Sequence, residues 1–135
     1  IAPPGIVARL APMASHSVFS EPALLDYAGA GDIPAALAAA AGRVAGMVGV
    51  TAGERGFFWL EGGKLRHVPA PQVQAVDTLA AGDVFHGAFA LGLAEGMDIA
   101  AAGRFACIAA SIKCTRFGGR LGAPDRAEVT AFRAG

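Results

Sequence analysis

The segment Asp77-Thr78-Leu79-Ala80-Ala81-Gly82-Asp83 places a run of small residues between two carboxylates, and an apolar helical pattern over 84–95 follows it directly. The first amides of such a helix lack intrahelical acceptors and point outward, where the helix dipole adds partial positive charge. With Ala80, Ala81 and Gly82 keeping bulk away, the turn can cradle a phosphate or an oxyanion on backbone amides. Asp83 falls in the first turn beside that cradle. A carboxylate there repels a bound phosphate, but it can accept the proton of a hydroxyl that attacks phosphorus. It can equally be a structural group that interacts with the helix dipole, and spacing alone leaves both roles open. The segment is neither a G-x-x-x-x-G-K-[ST] loop nor a G-x-G-x-x-G turn.

A second candidate lies upstream. Thr51-Ala52-Gly53-Glu54-Arg55-Gly56 follows a short apolar run over 47–50. A loop at the end of a strand is where α/β sheets bind ligands, and a plain turn is the other reading. Arg55 is either a phosphate contact or a solvated turn charge. His86, one turn into the helix after Asp83, reads as a partly buried structural histidine, and Trp59 as packing. Cys107 and Cys114 sit two helical turns apart on one face, too far for a disulfide, and read as small buried apolar residues. That usage fits a reducing, cytoplasmic compartment.

The composition frames these candidates. Of 135 residues, 54% are hydrophobic and 16% charged, which suits one folded domain and excludes a disordered chain. Lys plus Arg equals Asp plus Glu at 11 each, so neither nucleic acid nor an anionic membrane is favoured as a partner. Mean hydropathy is positive, yet Arg43, Glu54, Asp83, Glu95 and Arg104 interrupt the apolar stretches below the roughly 20 residues of a spanning helix. The sequence starts Ile1-Ala2-Pro3 without an initiator Met or a signal-peptide pattern, which fits a piece of a longer chain.

The elements that must hold the candidates follow from periodicity and punctuation. A helix end is expected over 6–14 and a strand over 15–20. Helices are expected over 22–27 and 33–43, the second capped by Asp32, with Pro22 and Pro34 in first turns. A strand over 47–51 leads to a hairpin, 57–60 with 64–68 around Glu61-Gly62-Gly63. Another short strand is expected over 73–76, then helices over 82–95, closed by Gly96, and 99–115, capped by Asp98. A flexible loop over 118–122 precedes a final helix, 125–133, opened by Pro124. The alternation predicts an α/β fold with some parallel pairing.

D-T-L-A-A-G-D-V-F-H-G-A-F at 77–89 resembles the C-terminal signature of the ribokinase-like (PfkB) carbohydrate kinase family, D-T-x-G-A-G-D-x-F-x-x-G. Asp77, Thr78, Ala81, Gly82, Asp83 and Phe85 match, with Gly87 standing for the last glycine, and Thr51 to Gly56 fits the family's T-x-G-x-x-G. The resemblance covers nearly the whole chain but only the C-terminal part of the family. It implies a ribokinase-like, Rossmann-like three-layer sandwich with a mostly parallel sheet. Residues 1–135 would form a single partial domain, the nucleotide-binding and catalytic half, without the N-terminal half and lid.

The implied activity is ATP-dependent phosphorylation of a primary hydroxyl of a ketose or related sugar. Asp83 would be the general base, and the amides at Ala80, Ala81, Gly82 and Asp83 the anion hole. Thr51, Gly53, Glu54, Arg55 and Gly56 would lie against the ribose and phosphates of ATP, and Gly118 and Gly119, within 115–122, beside the adenine. Mg2+ would come with ATP, held by phosphates and water rather than by a protein metal site. The family's N-x-x-E element is not clear at 19–23, where Ser20 replaces Asn, and this leaves Glu21 a weak metal-associated candidate. Arg104-Phe105-Ala106-Cys107, Lys113-Cys114 and the glycine-rich loop after them look like the ketohexokinase-type branch, as does Asp77-Thr78-Leu79.

The implied partners are a sugar and ATP, with no nucleic acid and no membrane, and a homodimer is an option for the full-length protein. The 135 residues alone are expected to be inactive and to associate, aggregate or be poorly stable, with a strand edge and apolar surface exposed. A nucleoside kinase of the same fold and a nucleotide-binding module without turnover are the alternatives. Ala80 departs from the family's glycine, at about 1 kcal/mol or more if the position needs positive φ.

Overall fold

Two parallel strands and the helices between them open the described chain, which in this computed structural model comprises residues 15–118 and 123–134. The helix expected over 6–14 lies outside the described residues. Two compact units are present among the described residues: 15–52 together with Phe57–His67, and Gly53–Gly56 together with those from Val68 on.

In the first unit, β1 (His16–Ser20) and β2 (Met47–Thr51) pair in parallel in the register Ser17 to Val48 and Ser20 to Thr51. The connection runs through α1 (Glu21–Ala28) and α2 (Ile33–Ala41). Ser20 caps α1 by accepting from the Ala23 amide, and Asp32 caps α2 by accepting from Ala35 N at 2.8 Å. Proline stands early in each helix, where its missing N–H costs nothing. Leu24, Ala36, Leu37, Ala40, Val48 and Val50 form the centre of this unit's core.

β3 (Phe57–Glu61) runs antiparallel to β2, and β4 (Lys64–Val68) completes the sheet order β1-β2-β3-β4. Residues alternate along β3: Phe57 and Trp59 are buried and stacked at 5.3 Å, while Phe58 and Leu60 pack on the helix-side core. Gly49 permits this, because a Cβ there would meet the Phe57 ring at 2.8 Å. Gly62 and Gly63, both at positive φ, make the two-residue hairpin turn. β4 is largely exposed and carries Lys64 and Arg66, which suit an edge strand.

The second unit is helical. α3 (Ala81–Ala94) and α4 (Ile99–Cys114) pack closely, with Gly92 at their contact, where a Cβ would come within 3.1 Å of Ala102. Asp98 caps α4 through Ala101 N at 2.8 Å. α5 (Arg126–Ala134) lies one residue later than the expected 125–133. Its start is a reciprocal cap: Asp125 accepts from Glu128 N at 2.9 Å and Glu128 accepts from Asp125 N at 3.1 Å. Val129 then joins Phe105, Ile108, Ala109 and Ile112 in the core, and Arg126 pairs with Glu95 and lies over Phe105.

The strand expected over 73–76 is absent. Pro69 and Pro71 remove ladder donors just before it, and the amides of Val76 and Asp77 go to one carbonyl, that of Cys114 at the end of α4 (2.7 and 3.1 Å). The described residues form an α/β arrangement with a mixed four-stranded sheet, β1 and β2 parallel and β2 and β3 antiparallel. Among the described residues no helix is long and apolar enough to cross a membrane. Asp32→Ala and Asp98→Ala should each lower stability by about 1 kcal/mol, the worth of one helix cap, read from urea denaturation midpoints. Unchanged midpoints would show that neither cap matters.

Candidate active site

The turn over 77–83 is held at its first residue. The Asp77 carboxylate accepts from the Leu79 amide at 2.9 Å through Oδ1 and from the Gly118 amide at 3.0 Å through Oδ2. These two backbone bonds, the Leu79 bond foremost, hold its pKa below the ordinary carboxylate value, and Lys113 adds to the effect. One side chain thus joins the turn before α3 to the loop after α4.

Beyond Asp77 the chain makes a tight turn, with the Ala81 amide donating to the Thr78 carbonyl at 3.1 Å. Ala80 then adopts φ 63° and ψ 10°, the left-handed region, and is the N-cap of α3 without a side-chain hydrogen bond. It is the non-glycine residue at positive φ among the described residues. The position therefore does require the conformation that glycine adopts without strain. α3 starts at Ala81, and the Val84 amide donates to the Ala80 carbonyl at 3.0 Å. The amides of Gly82 and Asp83 have no acceptor among the described residues, and the space beside the Gly82 Cα is open. Asp83 lies in this first turn with its side chain exposed. A helix N-terminus with two open amides, unobstructed backbone and an adjacent carboxylate has the parts an anion and an attacking hydroxyl would need.

His86 is exposed rather than partly buried, because the first turns of α3 lie at the surface. Its Nδ1–H donates to the Gly82 carbonyl at 2.7 Å, so it braces the same turn. Counted out, the signature's last glycine falls on Ala88, which packs on the α4 core, whereas Gly87 faces open space.

In the upstream motif, Thr51 ends β2 and its hydroxyl donates to the Phe19 carbonyl at 3.4 Å. Gly53–Arg55 form one turn of 3-10 helix, with Glu54 and Arg55 exposed. Gly56 is buried at φ 97°, and a Cβ there would lie 2.1 Å from the Val68 carbonyl, so its glycine is obligatory. Gly118, also at positive φ, gives its amide to Asp77; Gly119 lies outside the described residues. Glu21 opens α1 directly after the capping Ser20. Phe105, Ala106 and Cys107 are buried in α4 and serve packing, and Lys113 is buried with its ammonium donating to the carbonyls of Asp77 and Arg116. Cys107 and Cys114 are free thiols, and burial pushes Cys107 up to about 12. The described residues contain no cluster of three carboxylate, imidazole or thiolate groups that could hold a metal ion.

A family model described as "pfkB family carbohydrate kinase" matches residues 6–126. The ribokinase of Bacillus subtilis is 48% identical over 80 residues, which are 59% of this chain and 27% of that protein. The crystal structure of the Thermotoga maritima ribokinase superposes with a TM-score of 0.88 at 32% identity, over 95% of this chain and 45% of that one. The Vibrio cholerae fructokinase with fructose, ADP and calcium bound gives 0.88 at 27% identity, over 96% and 44%. This chain therefore spans less than half the length of these structures.

Two measurements follow from the turn. Ala80→Gly should raise stability by about 0.5–1 kcal/mol, because relief of left-handed strain exceeds the added chain entropy of glycine; an unchanged or lower denaturation midpoint would contradict that. Since the folded pKa of Asp77 lies below its unfolded value, its contribution is complete above about pH 4 and is lost as pH falls through the folded value. Asp77→Asn should therefore be less stable than the parent near neutrality, with the gap closing in acid; parallel stability curves from pH 7 to pH 2 would contradict it.

Proposed function

Because this chain belongs to the pfkB family of carbohydrate kinases, we propose that it is the nucleotide-binding and catalytic portion of an ATP-dependent sugar kinase, in which the turn over 77–83 receives the transferring phosphoryl group. The observation that carries the proposal is the start of α3: open amides at Gly82 and Asp83, a left-handed Ala80 that turns the chain into the helix, and the exposed Asp83 carboxylate beside them.

Chemically, the acceptor hydroxyl gives its proton to Asp83 as its oxygen attacks the γ-phosphorus of ATP. The new P–O bond forms as the bond to the ADP oxygen breaks. The Gly82 and Asp83 amides and the N-terminal end of the α3 dipole stabilise the charge that shifts onto phosphate oxygens. Exposed in the first turn of α3, Asp83 is accessible to a substrate hydroxyl. Gly53, Glu54, Arg55 and Gly56, preceded by Thr51, and Gly118 are assigned to the nucleotide by their positions in the family motifs. Mg2+, when bound, would neutralise the polyphosphate and is assigned to phosphate oxygens and water.

The acceptor is assigned to a pentose of the ribose type, on the names of the curated relatives, ribokinase and deoxyribokinase. A ketose is the second reading, supported by the similar structure that holds fructose. A nucleoside acceptor is compatible with the same fold. Turnover belongs to the complete polypeptide, and a panel of ribose, deoxyribose, fructose and nucleosides ranks the acceptors by kcat/KM. In that polypeptide Asp83→Asn should lower kcat by about 10²- to 10⁴-fold while ATP affinity stays unchanged. Normal turnover in the variant would remove Asp83 from the role. ATP binding without phosphoryl transfer to any acceptor in the parent would instead mark a binding module.

A further inference from the structure

Among the described residues, Lys113 is the charged side chain that is fully buried. Burying an ammonium is costly unless acceptors surround it. Here Nζ donates to the carbonyls of Asp77 at 3.0 Å and Arg116 at 3.2 Å, and lies 3.7 Å from Asp77 Oδ2. The two carbonyls take two of its three N–H bonds, and the Asp77 carboxylate lies beside the charge as an ion pair.

Those acceptors sit where the turn is attached. Asp77 begins the segment that ends at Asp83, and Arg116 lies two residues before Gly118, whose amide holds the Asp77 carboxylate. The amides of Val76 and Asp77 both reach the Cys114 carbonyl, one residue beyond Lys113. Lys113 therefore grips from within α4 the carbonyl of Asp77, whose amide goes to Cys114 and whose carboxylate takes the Leu79 and Gly118 amides.

We propose that Lys113 is a positioning residue for phosphoryl transfer: its buried ammonium fixes the path of residues 77–83, and through it the direction of the Gly82 and Asp83 amides and the Asp83 carboxylate, without touching either substrate. This rests on the kinase reading above. A mere packing role would require only the length of the side chain, whereas positioning requires the donors.

The test uses the complete polypeptide. Lys113→Met keeps most of the volume and removes the donors. It should lower kcat by about 10- to 100-fold, the scale of a displacement near 1 Å, with the KM values for ATP and sugar changing less. Lys113→Ala should lose kcat similarly and recover part of it in ethylammonium chloride but not in sodium chloride of equal ionic strength. Hydrogen exchange at the amides of Leu79 and Gly118 should speed up in Lys113→Met, while the interior of α3 keeps its protection. Unchanged kcat with unchanged exchange at those amides overturns the proposal, as does a loss of kcat that ethylammonium leaves untouched. If neither variant folds, Lys113→Gln keeps most of the length and removes the charge; it should lower kcat and speed exchange at the Leu79 and Gly118 amides, and normal values of both overturn the proposal. A parent polypeptide that phosphorylates neither sugar nor nucleoside ends the kinase reading itself, and exchange at Leu79 and Gly118 then decides alone whether Lys113 orders the turn.

Discussion

The helical unit depends on where the polar groups of Asp77 go. Its amide is directed to the last turn of α4, its carboxylate to amides on two different loops, and its carbonyl to Lys113. The chain arriving at Asp77 has passed two prolines and pairs with no strand. The end of α4 meanwhile has carbonyls without helical partners. Each side supplies what the other lacks, and a segment that would otherwise be a solvated loop gains a defined path.

That path leads to strain at Ala80. A left-handed alanine costs about 1–2 kcal/mol and persists only where the surroundings overdetermine it. Here the bond between Thr78 and Ala81 closes the turn on one side, and the bond between Val84 and Ala80 closes it on the other. His86 adds a third restraint on the Gly82 carbonyl. The result is a helix that starts abruptly, with no side-chain cap, and leaves its first amides open to a ligand. Asp32 and Asp98 give the contrast, since each closes its helix start with its own carboxylate. The difference between those helices and α3 is the difference between a capped terminus and one available for an anion.

The sheet unit follows simpler rules. A parallel pair needs a crossover, and α1 and α2 supply it while burying their apolar faces on β1 and β2. Ser20 and Thr51 come opposite each other at the ends of the paired strands. Ser20, which interrupts the family's N-x-x-E pattern, is committed to capping α1.

Much of this was legible in the residues. Alternation and punctuation marked β1 to β4, and caps marked α2 and α4, because those signals act over three or four residues. The 77–83 signature located the candidate base and the open helix start for the same reason: small residues, a carboxylate and a helix lie adjacent in the chain. What tertiary structure alone decided are the long-range partners. Val73 and Val76 have strand-forming side chains, but nearby amides had a better acceptor at Cys114, 38 residues from Val76, so no strand forms. In the sequence Lys113 stands out only within a stretch that resembles the ketohexokinase-type branch, and nothing local shows that its ammonium is buried against the carbonyl of Asp77. The φ of Ala80 was likewise open until the bonds around it were seen. Sequence determines which groups are available and their local geometry; which distant group satisfies a buried donor depends on how α4 packs, and that is a property of the folded chain.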